Sequence, residues 1–399
     1  MQSLDCGNNN YKIKLEVLSF YENVLGEIIK DIPTTAQGQI NINYQQLVRR
    51  SCSLSLINID NKYRPDQNAW FWIDRKFKLW IGLELATTGD TYWFSQGIFY
   101  ANGVNCDGHT VNINGIDKGG RLDGSLKTNM LDGNYVVEKG SSIATLIKRT
   151  LLLNAGTYLI DPTFPVVDIQ FNKINIEEDI SINDGEYIGA LFTAIGDSYG
   201  SDIYYDTDGR LNFVHSVENN SPDAYLYLDT KYHFTDKNAN YSASSLQYNY
   251  DVVNAVTVYT NISAQDENGN EIENVSYTAY NTNPLSPLNI YAIGIRRMEA
   301  VEIRYINNLT PDEMTQRCKE YANYLLKRKA MLQLSIGFNS IIIPHLDVNN
   351  VVTVTDKAKG LDAERFVIQS ITIPLSAGEM SIQAVNITQL PKDTNIEKR

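Results

Sequence analysis

The sequence predicts a β-rich α+β chain in which two barrel- or sandwich-like β units are joined by a smaller α+β region. Three observations predict it. Apolar and polar residues alternate with a period of two over many short runs. Asn, Asp and Gly turns separate those runs at the spacing of sandwiches and barrels. Helical periodicity is confined to three stretches, and 399 residues exceed the size at which one core usually stops growing.

The first unit occupies residues 1–125. Its opening run "YKIKLEVLSFYENVLGEIIKDI" sets Ile13, Leu15 and Val17 on one face and reads as one or two strands. "GQININY" and "SCSLSLINI" repeat the period. "FKLWIGLEL" turns Phe77, Leu79, Ile81, Leu83 and Leu85 inward and leaves Trp80 outward between Lys78 and Glu84, a candidate for subunit contact. "WFSQGIFYANGV" and "HTVNINGID" bring the total to about seven strands.

Residues 126–250 change pattern. "SSIATLIKRTLLLNAG" has a Ser start, apolar Ile143, Leu146, Ile147 and Leu151, and a Gly156 stop, which describes an amphipathic helix. "DGEYIGALFTAIGDSYG" offers Asp184 as a cap and places Ile188, Leu191, Phe192 and Ile195 at the i, i+3, i+4, i+7 spacing. "YYDTDGRLNF" then follows with Asp206 and Asp208 ahead of Gly209.

Strands return over 251–390, in "VVNAVTVYTNISA", "NVSYTAYN", "MLQLSIGF", "NVVTVTD", "ERFVIQSITIPL" and "EMSIQAVNI", with a loop holding Pro284 and Pro287. Within this unit, near 310–330, Thr310 caps a helix, Pro311 takes its first position and Glu313 closes a capping box, with Met314, Cys318, Tyr321 and Leu325 in one stripe. Residues 391–399 read as a polar, frayed tail.

Asp206–Val217 fails as an EF-hand loop: Gly209 stands at the fourth position, Arg210 at the fifth and Val217 at the twelfth. Asp-Gly is a hairpin signal, since its turn needs positive φ, and "SDIYY" and "RLNFVHS" supply two strands. "QDENGNEIEN", with Asp266, Glu267, Asn268 and Gly269, reads as a second tight turn, and a surface cation site of another type stays open there.

Catalytic and cofactor signals are thin, and no catalytic, cofactor-binding or metal residue is expected. His109, His215, His233 and His345 lie in or beside strands without an H-E-x-x-H or G-x-S-x-G frame. "GGRLDG" lacks the order of a phosphate loop. Cys6, Cys52, Cys106 and Cys318 form no C-x-x-C pair and read as isolated buried thiols. Trp70, Trp72, Trp80 and Trp93 fit core and interface, with sugar stacking as the competing reading.

A net charge of −13 argues against tight nucleic-acid binding, which needs clustered Lys and Arg. No apolar run reaches the ~20 residues of a membrane span. The N-terminus lacks a signal-peptide pattern, so folding in a cytoplasm is expected.

The order of "LVRRSCSLSLIN", "RKFKLWIGLEL", "YWFSQGIFYANGV", "VNINGIDKGGRLDG", "GEYIGALFTAIGDSYGSDIYYDTDGRLNF", "VVNAVTV", the capped helix and "RFVIQSITIPL" resembles phage tail-hub proteins. These are the baseplate hub proteins of contractile tails and the related N-terminal region of tail-tip proteins. The resemblance covers nearly the whole chain. It implies two tail-tube-like barrels, and a homotrimer whose six barrels form a pseudo-hexameric ring in the virion. Its implied partners are a tail tube or distal tail protein, a central spike or tip protein, and the tape-measure protein, which shares the channel later used by DNA. It implies a structural, non-enzymatic role; the chain ends too soon after its last strand to hold the peptidase or glycan hydrolase some relatives carry. The alternative is a carbohydrate- or receptor-binding tail protein, with or without glycan-hydrolase activity.

Overall fold

The computed structural model describes residues 10–386 apart from 33–34, 45–46, 60, 62, 65, 67, 69, 71, 73–74, 86–87, 128–134, 154–160, 164, 170–174, 177–178, 183–184, 200, 216–229, 239, 250–251, 261–273, 287, 294–297, 304–309, 330–332 and 377. Cys6, the Asp184 cap, the Gly156 stop, the turn at 265–272, Pro287 and the tail lie outside the described residues, as do the side chains of Leu151 and His215.

The alternating runs of the first unit become β1 (Asn10–Leu18), β2 (Val24–Ile32), β3 (Ala36–Asn43), β4 (Arg50–Ile57), β5 (Lys76–Glu84), β6 (Thr91–Asp107) and β7 (Thr110–Asp117). They pair antiparallel in the order β3-β4-β7-β6-β5-β1-β2. The alternation does what period two dictates: Ile13, Leu15 and Val17 are buried, as are Phe77, Leu79, Ile81 and Leu83. Leu85 falls just past β5 and is half-buried.

The middle region holds β8 (Tyr135–Val137), α1 (Ile143–Leu153), β9 (Val166–Val167), β10 (Ile180–Ile182), α2 (Ile188–Tyr199), β11 (Ser201–Tyr205) and β12 (Leu211–His215). Both helices bury the residues their spacing selects: Ile143, Leu146 and Ile147 from α1 join Ile188, Leu191, Phe192 and Ile195 from α2 in one core with Leu211 and Phe213.

Next come β13 (Tyr232–Thr235), β14 (Ser242–Asn249), β15 (Ala255–Thr260), β16 (Ser276–Tyr280), α3 (Ile290–Ile293), β17 (Met298–Ile303), α4 (Pro311–Lys329), β18 (Gln333–Ser340), β19 (Val351–Asp356), β20 (Leu361–Pro374) and β21 (Met380–Asn386). Strands β13 and β14, which precede residue 251, pair with β19 and β18 in the order β14-β18-β21-β20-β19-β13. Strands β16-β15-β17 form a separate sheet whose inner face packs on α4 through Val256, Val258, Ala279, Cys318 and Ala322. The α4 capping box is closed: the Thr310 N–H and hydroxyl both donate to Glu313, at 2.9 and 2.8 Å, and the Glu313 N–H donates back at 3.3 Å.

The two β units share one sheet and one core. Strand β20 is 14 residues long; its first half pairs with β19 (Val351↔Val367) and its last five residues pair with β3, from Ser370↔Asn43 to Pro374↔Gln39. A bulge between Ile368 and Ser370, in the pairing with β21, sits where the strand passes from one unit to the other. The shared core runs without a break from Ile13 and Phe77 to Phe234, Phe338 and Phe366.

Candidate assembly site

Strands from the three parts of the chain meet at a buried polar junction, built by side chains at strand ends and in the loops beside them. In β4 the inward positions are Arg50, Cys52, Leu54 and Leu56, so strand alternation itself drives a guanidinium into the interior. Arg50 joins all three parts of the chain. Its own N–H donates to Asp117 Oδ2 at 2.7 Å, its Nη1 donates to the Tyr205 carbonyl at 2.8 Å, and its Nη2 pairs with Asp347 of the second β unit. Beside it the buried Arg49 guanidinium lies 3.4 Å over the Tyr204 ring, while the Tyr44 hydroxyl donates to Asp202 at 2.7 Å.

A second cluster adjoins the first. Lys118, which follows β7, donates from Nζ to Glu22 Oε1 at 2.7 Å, Asp161 Oδ1 at 2.8 Å and the Gly209 carbonyl at 2.7 Å. Glu22 sits in the β1–β2 turn at φ +65°, a conformation costly for a residue with a Cβ, and its carboxylate also accepts from Lys76 at 3.0 Å. Burial pulls the Lys76 ammonium below its ordinary value, and Glu22 pulls it back up.

The Asp-Gly hairpin docks the middle region onto the first unit. Asp206 Oδ1 accepts from the N–H groups of Asp208 and Arg210, both at 2.9 Å, so this carboxylate closes the turn. Gly209 has φ +73°, and a Cβ there would stand 2.6 Å from Ile98 Cδ1. The turn is held down by Lys78 on Asp208 at 3.1 Å and by the Ser95 hydroxyl on the Thr207 carbonyl at 2.6 Å.

Burial pushes the Asp117 carboxyl up to about 7, against the Arg50 N–H and charge and the N–H groups of Gly119 and Arg49. Because the folded carboxyl then holds its proton more tightly than the ordinary one at 3.8, folding takes up a proton between those values. The stability this group contributes is full below the ordinary value and is lost as pH rises through the folded one. Asp117→Asn should remove that slope, and urea midpoints measured from pH ~5 to ~8 check it.

Among the described residues, exposed apolar side chains gather at two strand surfaces in particular. Strand β2 has β1 as its only ladder partner among the described residues and exposes Val24, Leu25 and Ile29, with Tyr21 in the preceding turn. The outer face of β16-β15-β17 presents Tyr259, Tyr280 and Met298, with Leu285, Tyr291 and Ile293 exposed nearby in the chain.

The tryptophans divide differently from the expected interface set. Trp80 does face outward, but its Nε1 donates to Glu16 at 2.9 Å and Lys14 and Lys78 lie 4.7 and 4.4 Å from its ring, so it is half-buried under its neighbours. Trp70 packs on the β2 backbone at Gly26. Trp72 is the exposed one. His109, His233 and His345 are exposed; burial and Lys231 hold His345 below its ordinary value. Cys52 and Cys318 are buried free thiols, Cys106 is half-buried, and burial pushes the Cys52 thiol up. Among the described residues no group of three or more His, Cys, Asp or Glu is placed to hold a metal ion.

Sequence reasoning passed over Arg49, Arg50, Glu22, Lys118 and Asp161. One signal was present: in "RRSCSLSLI" the inward period extends back through Arg50. The partners of Lys118 lie 96 positions before and 43 after it, beyond the reach of any local pattern.

No family model matches the sequence, and no curated protein matches it. Solved structures do match along its length. The 43 kDa tail protein of prophage MuSo2 from Shewanella oneidensis aligns over 94% of this chain and 98% of its own, with TM-score 0.55 and 15% identity. The tail protein from Neisseria meningitidis MC58 aligns over 94% and 96%, with TM-score 0.58 and 13% identity. A chain of the Francisella PdpA–VgrG complex aligns over 97% of this chain and 59% of its own, with TM-score 0.55 and 12% identity. The chain is similar to these proteins in fold, a β-rich tail-protein architecture.

Proposed function

We propose that the chain is a structural hub at the distal end of a phage tail or a related contractile particle. The observation that carries this reading is the end-to-end match to two tail proteins, in which nearly all of each chain is covered. In this reading three copies present six barrels as a pseudo-hexameric ring between a six-fold tube and a three-fold spike or tip, around a channel for tape measure and DNA. The role is structural and non-enzymatic.

In this reading residues 1–125 form one barrel, residues 251–390 together with β13 and β14 form the other, and the rest of 126–250 is the connector. The continuous pairing of β20 with β3 supports the reading, because it fixes the two barrels of one copy in a single orientation. The outer β2 edge, with Tyr21, Val24, Leu25 and Ile29 exposed, has the character of a surface that finds a partner in assembly. The net charge of −13 suits a conduit that does not hold DNA in transit.

Light scattering of the assembly-competent protein is expected to give three times the 45.0 kDa chain mass. A particle reconstruction that places the chain away from the tube axis overturns the reading.

A further inference from the structure

We infer that Lys118 and Asp161 are joined by an intramolecular isopeptide bond formed with the help of Glu22. The inference rests on the buried junction alone and stands apart from the tail-hub reading. Lys118 and Asp161 are each 2% exposed, and Nζ lies 2.8 Å from Asp161 Oδ1. Both groups are withdrawn from water and in direct contact, the proximity that an amide-forming attack on Asp161 Cγ needs.

The two oxygens of Asp161 are used unequally. Oδ1 accepts from the Thr163 N–H at 2.9 Å and the Thr163 hydroxyl at 2.7 Å, as well as from Lys118. Oδ2 is buried and has no hydrogen-bond partner among the described residues. The Tyr205 phenol faces this carboxylate: burial first, then the charge of Asp161 and a hydrogen bond with it, hold the phenol well above its ordinary value. Condensation through Oδ2 leaves both Thr163 hydrogen bonds on the retained oxygen, which becomes an amide carbonyl.

Glu22 is the proton carrier. Its Oε1 touches the same Nζ at 2.7 Å and its side chain is 14% exposed. One ammonium proton passes to the Asp161 carboxylate, leaving an amine and a carboxylic acid with its hydroxyl at Oδ2. The amine lone pair attacks Asp161 Cγ and forms the C–N bond. Glu22 takes the second proton from that nitrogen and hands it to the Oδ2 hydroxyl as the C–Oδ2 bond breaks, so that one water leaves and Glu22 is again a carboxylate. An ammonium and a carboxylate are consumed, an amide and a water are formed, and nothing is oxidised or reduced. The charges agree with this outcome: two lysines and two carboxylates become one lysine, Lys76, facing one carboxylate, Glu22, at 3.0 Å.

The test is the intact mass of the full chain, measured after denaturing protein that circular dichroism shows to be folded. The expected mass is lower than the sequence mass by one water, and protease digestion yields a branched peptide carrying Lys118 and Asp161. Lys118→Arg and Asp161→Ala restore the full mass, and Glu22→Gln slows or abolishes the loss of water. A folded wild-type chain with its full sequence mass overturns the proposal, as does a water loss that persists in Lys118→Arg. The wild-type mass alone decides, so a variant that fails to fold leaves the test intact.

Discussion

Arg50→Ala is expected to destabilise the whole chain by about 3 kcal/mol, the low end of what breaking a buried ion pair costs. The guanidinium is 1% exposed and its partners come from the middle region and the second β unit, so its loss leaves the Tyr205 carbonyl and Asp347 without it in one step. Asp347 is 33% exposed and recovers some hydration, which keeps the cost from the upper end of the range. Arg50→Lys should rescue little, because a single ammonium cannot reach two divergent acceptors as the planar fork does. Urea unfolding checks both. A loss under about 1 kcal/mol for the Ala variant would mean that the three parts hold together without this residue.

Phe338→Ala is expected to cost about 3–5 kcal/mol, the range for truncating a fully buried aromatic. Phe338 is 1% exposed and its ring lies 4.7 Å from that of Phe234 in β13 and 5.2 Å from that of Tyr241 just before β14, inside the second half of the core. The readout also tests the shared core. All four Trp residues lie between positions 70 and 93, in the first β unit, so their fluorescence reports on that unit. With one continuous core, the Trp-detected midpoint should fall as far as the midpoint seen by far-UV circular dichroism. A Trp signal that does not move would show two independently unfolding units.

Much of the fold was legible because short-range physics fixes it. Alternation selected Ile13, Leu15 and Val17; the i, i+3, i+4, i+7 spacing selected Ile188, Leu191, Phe192 and Ile195; and Thr310 with Glu313 announced the start of α4. Asp206 and Gly209 were legible as a turn because positive φ and an Asx hydrogen bond are local requirements. What was not legible depends on distant partners. Strand β17, "MEAVEI", carries a weak pattern and is a strand through its parallel pairing with β15. Strand β13 belongs to the large sheet through β19, more than a hundred residues on. The polar junction was hidden for the same reason: in sequence, Glu22, Lys118 and Asp161 are ordinary charged residues, and their burial together gives them their chemistry.

The pairing of β20 with β3 has a consequence for how the chain is made. Residues 39–43 wait for residues 370–374, so this side of β3 lacks that ladder partner until about 330 further residues have left the ribosome. The amino-terminal half can collapse early, yet it carries an open edge throughout synthesis, and closing so long a loop is slow. Productive folding of the first unit is thus tied to synthesis of residues 370–374, and a chain that stalls or is truncated before them exposes a strand edge primed for aggregation.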